Sequence, residues 1–368
     1  MTSRYTDNKN LSELFLKPSL VPRRLDMELT ERCNNNCIHC YINQNENDSA
    51  LAQKELSTDE IKRIISKAAD AGVMTIRFTG GEPLLRDDFK EIYLHTRRCG
   101  INVSLFTNAT LINEEIVDLF RQYPAREKIE ITLYGLSKEE YEEVSRNPGS
   151  FEAALKGINL LLDALIPFVI KGVFIHEISE DIKKLDTYAR LIPFMDKKPR
   201  IAMNFDLRAR RDNHKKNLRI ESLRATPEET IQYLSQHRES YINDMKRFAA
   251  QFMTPASDFI FTCGCGHVGA VDAYGFLQPC LLMRAPESVY DIKHGTFEDA
   301  YKVFFKQLRE LKATHPEYEK KCRNCFLNSL CERCPAKSWM EHGSLDSPAE
   351  YYCGIAHAQA ELLGLLEP

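Results

Sequence analysis

The sequence predicts an α/β fold, a barrel-like domain of parallel strands followed by a smaller cysteine-rich region. Three observations carry this expectation. Short apolar runs alternate with helical patterns from Leu25 to about Phe205, the signature of repeated βα units. The alternation stops there, and eight of the 12 cysteines fall between Cys263 and Cys353. A chain of 368 residues suits one large domain plus a smaller one.

Taken in order, the strand patterns are Leu25–Leu29, Met74–Phe78, Asn102–Phe106, Ile129–Leu133, Phe168–Val173 and Arg200–Phe205. Helical patterns separate them at Thr58–Ala71, Asp87–Arg98, Glu114–Gln122, Ser150–Ala164 and Ser179–Ile192. The first helix opens on Ser57-Thr58-Asp59-Glu60, a Ser followed three residues later by Glu, which is a capping box. Such an order puts the reactive end at the strand C-termini, and six strands fall short of a full eight-stranded barrel. After Phe205 come a basic loop, Arg208–Lys216, and an amphipathic stretch from Pro227 to about Gln251. Beyond it the chain is strand-poor, with helical patterns near Phe297–Leu311 and Ala349–Leu363. The expected division is an N-terminal extension over residues 1–24, the barrel and linking helix over 25–252, and the cysteine-rich region over 253–368, with Pro255 at the boundary.

Composition narrows the function classes. Hydrophobic residues make up 43% and charged residues 28%, as in globular proteins with a sizeable core. With 49 Lys and Arg against 53 Asp and Glu the formal charge is −4, which argues against a nucleic-acid or anionic-membrane partner. The start, Met1 to Asn10, lacks the layout of a secretory signal, and the apolar stretch Ile158–Ile170 is broken by Asp163 and Pro167, too short to span a bilayer. The expected location is the cytoplasm, where 12 cysteines point to metal binding rather than a disulfide framework.

The first cysteines, Cys33-Asn34-Asn35-Asn36-Cys37-Ile38-His39-Cys40, follow the first strand directly. Three thiolates at spacings of four and three can converge on one metal centre. A four-iron cluster held by three ligands keeps one iron open for substrate, although three close cysteines alone also suit a zinc site. At the end of the second strand stands Thr79-Gly80-Gly81-Glu82-Pro83, whose glycines expose backbone and whose carboxylate can accept from an amino group.

Cys-x3-Cys-x2-Cys after the first strand, paired with Gly-Gly-Glu-Pro after the second, resembles the radical S-adenosylmethionine (SAM) superfamily. The resemblance covers Leu25 to Phe205 and implies a TIM-like partial (βα)6 barrel. It implies a 4Fe-4S cluster on Cys33, Cys37 and Cys40 whose free iron is chelated by the methionine moiety of SAM, with Gly80, Gly81 and Glu82 facing the amino group. His39 stands where relatives usually carry an aromatic residue. By the same resemblance Asn108, in Thr107-Asn108-Ala109-Thr110, touches SAM or orders its loop, and Thr132 reaches the ribose or carboxylate. Arg146, ahead of Pro148-Gly149-Ser150-Phe151, pairs with the SAM carboxylate, which suits its planar donor fork. For these three a strand-end cap or a surface charge is the alternative.

The later cysteines, Cys263-Gly264-Cys265, then Gly275 and Cys280, then Cys322-x2-Cys325-x5-Cys331-x2-Cys334 and Cys353, resemble the SPASM extension of peptide-modifying radical SAM enzymes. The departure is one residue, two positions rather than three before Cys334. The family pattern implies one auxiliary cluster on Cys263, Cys265, Cys280 and Cys334 and a second on Cys322, Cys325, Cys331 and Cys353, three 4Fe-4S clusters in all. Structural zinc is the rival spelling of the same spacings. Cys99, after Arg97-Arg98, belongs to no pattern and reads as a partly buried structural thiol.

The resemblance implies an oxidoreductase that reductively cleaves SAM to a 5′-deoxyadenosyl radical and abstracts hydrogen from a substrate, with a reductant such as flavodoxin or ferredoxin as partner. SPASM enzymes often act on ribosomally made peptides. Leu281 stands where sulfatase maturases carry an Asp base, which argues against formylglycine formation. Only 24 residues precede the first strand, so a peptide substrate is expected to dock directly or through a separate recognition protein. The basic loop is either a solvated face or a site for an acidic leader. Tyr134 and Asp206 stand at strand ends facing the same cavity, able to handle protons. The competing functions are a small-molecule enzyme, such as a haem-pathway decarboxylase, and a zinc-stabilised binding protein without catalysis.

Overall fold

Alternation of side chains along the first strand sets the architecture. In β1 (Arg24–Thr30) Leu25, Met27 and Leu29 face one way and are buried, while Asp26, Glu28 and Thr30 face the other and are buried too. A strand covered on both faces belongs in the middle of a sheet. The computed structural model describes residues 21–173, 181–195, 200–202, 207–235, 239, 241–243, 245, 257–263, 266, 268–331 and 333–365.

Parallel ladders join β1 to β2 (Thr75–Gly80), β3 (Asn102–Thr107), β4 (Arg126–Leu133), β5 (Phe168–Val173) and β6 (Arg200–Ala202) in that order. This is the succession a partial (βα)6 barrel requires. The sixth predicted strand is described only to Ala202; residues 203–205 lie outside the described residues. Between the strands run α1 (Thr58–Asp70), α2 (Phe89–Arg98), α3 (Glu114–Gln122), α4 (Lys138–Ser145), α5 (Ser150–Asp163) and α6 (Asp181–Arg190). The α1 capping box forms, Ser57 Oγ accepting from Glu60 N and the Glu60 carboxylate from Ser57 N. Ile61, Ile64, Ile65 and Ala68 turn the inner face of α1 onto the apolar face of the sheet.

The opposite face of the sheet is ionic. Arg77 pairs with Asp26 and Lys171 with Glu130, and both cations lie over the Phe106 ring, at 4.3 and 3.9 Å from its centroid. Pairing and stacking offset the cost of burying these charges.

Two features depart from expectation. Helix α4 was not foreseen, because only Tyr141 and Val144 mark its apolar side among Lys and Glu. The C-terminal region also contributes strands: β7 (Gly269–Val271) pairs parallel with β1, and β8 (Phe276–Gln278) and β9 (Tyr290–Asp291) continue outward antiparallel. One nine-stranded sheet therefore runs across the division expected near Pro255, itself outside the described residues. Runs of two or three residues are too short to show periodicity, and their partner strand is distant in sequence.

The basic loop becomes helical at its end, α7 spanning His214–Ser222 and α8 spanning Pro227–Ser235. Later come α9 (Pro335–His342) and α10 (Glu350–Leu363), the last close to its predicted extent. Among the described residues no helix is long and apolar enough to cross a membrane.

Candidate active site

The Cys33–Cys40 loop leaves the C-terminal end of β1, where the β1–β2 register shifts between Glu28 and Thr30. Neighbours hold it on three sides. Asn36 N and Ile38 N donate to Ser145 O and Val144 O at the end of α4, at 2.8 and 3.0 Å. Asn108 Nδ2 donates to Asn34 Oδ1 at 2.9 Å, and Asn34 Nδ2 to Thr110 Oγ1 at 2.7 Å. Gly81 N and Glu82 N donate to Thr30 O and Arg32 O at 2.7 and 3.0 Å.

That last approach explains the glycines. A Cβ on Gly80 would stand 2.1 Å from Thr30 O, and one on Gly81 2.2 Å from Arg32 O; Gly80 also has φ +121°. Only glycine lets the β2 turn lie against the β1 extension so closely.

A cavity of about 170 Å³ opens between the loop and the strand ends. Cys33, Cys37 and Cys40 line one part of it, and Thr79, Gly80, Gly81, Phe106, Asn108, Thr132 and Tyr134 the rest. The predicted cysteines, glycines, Asn108 and Thr132 thus come together. Tyr134 comes with them, its hydroxyl hydrogen-bonded to Cys37 Sγ at 3.2 Å. Asp206 and Cys265 lie outside the described residues.

Two predicted residues take other roles. Glu82 is fully buried, and its carboxylate accepts from Leu84 N, Thr107 Oγ1 and Asn108 N at 3.1, 2.8 and 2.8 Å. Its side chain braces the ends of β2 and β3 instead of facing the cavity. Arg146 is the left-handed C-cap of α4 (φ +49°) and lines a neighbouring crevice of about 480 Å³ with Cys33, Asn35 and Lys216, not the cavity itself. His39 packs edge-on to Tyr134 at 5.3 Å, and burial lowers its imidazole to about 4, so the ring is neutral.

Burial pushes the Cys33 thiol well up and Cys37 up to about 12, with Cys40 nearby adding like charge. Such thiols become thiolates when a metal takes the place of the proton. The three thiols stand around one cavity, with Asn35 and Asn43 beside them. This donor set fits an iron–sulfur cluster with one side open to a ligand.

Residues 27–189 match the Radical SAM superfamily. That stretch carries a radical SAM domain. A radical SAM domain implies SAM and a 4Fe-4S cluster as cofactors, and the residues around the Cys33–Cys40 cavity fit them. The chain is 36% identical to the AdoMet-dependent heme synthase of Methanosarcina barkeri over 45% of its length, spanning less than half (46%) of that relative. It is 25% identical to the subtilosin biosynthesis protein AlbA of Bacillus subtilis, over 86% of this chain and 68% of AlbA. Its fold superposes on Streptococcus suis SuiB bound to S-adenosylmethionine with a TM-score of 0.65 at 17% identity, covering 95% of this chain and 83% of SuiB. The likeness in fold thus runs through the C-terminal region.

There a second cavity, about 350 Å³, is lined by Cys322, Cys325, Cys331, Cys334 and Cys353. The family pattern assigned Cys334 to the other auxiliary site, yet it stands here with the second set. Cys263 is close enough to Cys280 for their charges to interact. Cys99 is half-buried, its Sγ 3.5 Å from His95 Nε2, away from all of these.

Proposed function

We propose that this radical SAM enzyme modifies a ribosomally made peptide or a protein side chain. The observation that carries the chemistry is the cavity walled by Cys33, Cys37 and Cys40 on one part and the Gly80–Gly81 backbone on another. When bound, SAM and a reduced four-iron cluster supply one-electron cleavage of the sulfonium to methionine and a 5′-deoxyadenosyl radical.

The chain's own residues hold and orient. Gly80 and Gly81 present main-chain groups to the amino group of SAM, and Thr132 and Asn108 offer side chains to its ribose and carboxylate. Tyr134 donates its hydroxyl hydrogen to the Cys37 sulfur once that sulfur is a thiolate, a bond that stabilises negative charge on the ligand. Phe106, held between Arg77 and Lys171, closes the cavity toward the ionic layer and keeps water from the reacting atoms. In the C-terminal region, Cys263, Cys265, Cys280 and Cys334 hold one auxiliary cluster and Cys322, Cys325, Cys331 and Cys353 a second, with Cys334 able to serve either. All-cysteine ligation favours electron transfer over substrate binding there.

The peptide substrate rests on two likenesses. AlbA, a biosynthesis protein of the bacteriocin subtilosin, matches most of the chain. SuiB, of the same fold, has also been solved with its precursor peptide SuiA. A second reading, a haem-type small molecule, is favoured by the 36% identity to the heme synthase, confined to 45% of this chain. The two separate when the anaerobically reduced enzyme is incubated with SAM and either candidate peptides or iron porphyrins. A SAM-dependent mass change in a peptide supports the first reading; decarboxylation of the porphyrin with inert peptides replaces it.

A further inference from the structure

At the far end of the cysteine loop, at Cys40 and Asn43, stand two cations that the chemistry described so far leaves unused, Arg210 buried and Lys216 half-buried. The Arg210 side chain is 1% exposed. Its Nη1 donates to Cys40 O at 3.3 Å, Asn43 O at 3.4 Å and Asn43 Oδ1 at 3.1 Å. Its Nε and Nη2 donate to the Asp212 carboxylate at 2.7 and 2.6 Å, and Asp212 accepts from Gln44 Nε2 at 2.8 Å. Lys216 Nζ donates to the same two oxygens of Asn43, at 3.1 and 3.0 Å, and its side chain also lines the crevice that reaches Cys33.

Two cations on one buried asparagine repel, and a single half-exposed carboxylate, Asp212, pairs with Arg210 and also attracts Lys216. Such an arrangement persists where further negative charge stands nearby. The three thiolates of Cys33, Cys37 and Cys40 are that charge, and Lys216 interacts with Cys37 and Cys40. The segment earlier read as a solvated basic face is therefore tied to the metal loop.

We propose that Arg210 and Lys216 are positioning residues for the iron site, fixing the Cys40–Asn43 end of the loop and making one-electron reduction of the cluster on Cys33, Cys37 and Cys40 easier. This rests on the cluster assignment proposed above. A reduced cluster carries one more negative charge, so a fixed cation near it favours the reduced form. A unit charge about 10 Å away at an effective dielectric of about 20 biases such an equilibrium by roughly tenfold.

The test compares anaerobically purified wild type with Arg210→Gln, Arg210→Lys and Lys216→Gln. Iron per chain is measured, and the EPR signal that added SAM perturbs is followed in a redox titration. Arg210→Gln and Lys216→Gln are each expected to lower the reduction equilibrium about tenfold, about 59 mV for one electron, with Arg210→Lys near wild type. If Arg210→Gln loses its iron, retention in Arg210→Lys supports the clamp. Equal loss in both, or a midpoint in Lys216→Gln equal to that of wild type, overturns it. A wild type without any SAM-perturbed iron signal overturns the cluster assignment and this proposal together, an outcome distinct from an unchanged midpoint with the signal present.

Discussion

Glycine, cysteine and glutamate contribute to this site in three different ways. At Gly80 and Gly81 the requirement is the absence of a side chain, since a Cβ would collide with Thr30 O or Arg32 O. Gly81→Ala is expected to lower stability by roughly 1–3 kcal/mol and to loosen the loop, read as a fall in unfolding midpoint with faster amide exchange over residues 33–40. At Glu82 the requirement is a buried acceptor. Burial pushes its carboxyl up to about 7 against the pull of three donors. Between the ordinary value of 4.5 and about 7 the folded protein keeps a proton that the unfolded chain has released, so stability falls as pH rises through that window. Glu82→Gln removes this contribution, and denaturant midpoints of wild type should fall more steeply than those of the variant over the same window; parallel curves would contradict it. The cysteines and glycines were legible in the sequence because their chemistry demands those residue types. The direction of the Glu82 carboxylate was not, because Thr107 and Asn108, which turn it inward, come from another strand.

At the scale of elements, legibility follows the strength of local pattern. Helices α1, α3 and α5 lie within a residue of their expected extents, each with clear apolar periodicity, and the Ser57 box starts α1 where it should. Ser57→Ala is expected to cost about 1 kcal/mol in chemical unfolding without changing iron content, since the Ser57 hydroxyl bonds Glu60 and not the cysteine loop. Helix α4 was missed, although it supplies Val144 O and Ser145 O to the loop. Strands β7 to β9 were missed because pairing, β7 with β1 and then β8 and β9 in succession, makes them strands, not their own residues. The 208–216 segment was recognised as basic, but its attachment to Asn43 is a tertiary fact.

Across the whole molecule, the sheet and buried ion pairs, Arg224–Glu341 and Arg284 with Glu28 and Glu31, link the two regions. Strand β7 extends the sheet from the edge of β1. Arg224 pairs with Glu341 of α9 at 2.6 Å and lies over the Tyr351 ring of α10, 4.5 Å from its centroid. The cysteine-rich region is therefore built onto the barrel rather than hung from it. This suits the auxiliary clusters proposed above, whose electrons would pass to the first site. The account as a whole stands on the loop of Cys33, Cys37 and Cys40 holding an iron cluster that cleaves SAM. Release of 5′-deoxyadenosine from SAM by the reduced enzyme measures that directly, in wild type and in a variant with all three cysteines replaced by Ala. Wild type should release it and the variant should not, while keeping its remaining iron; release at the wild-type rate by the variant would contradict the account.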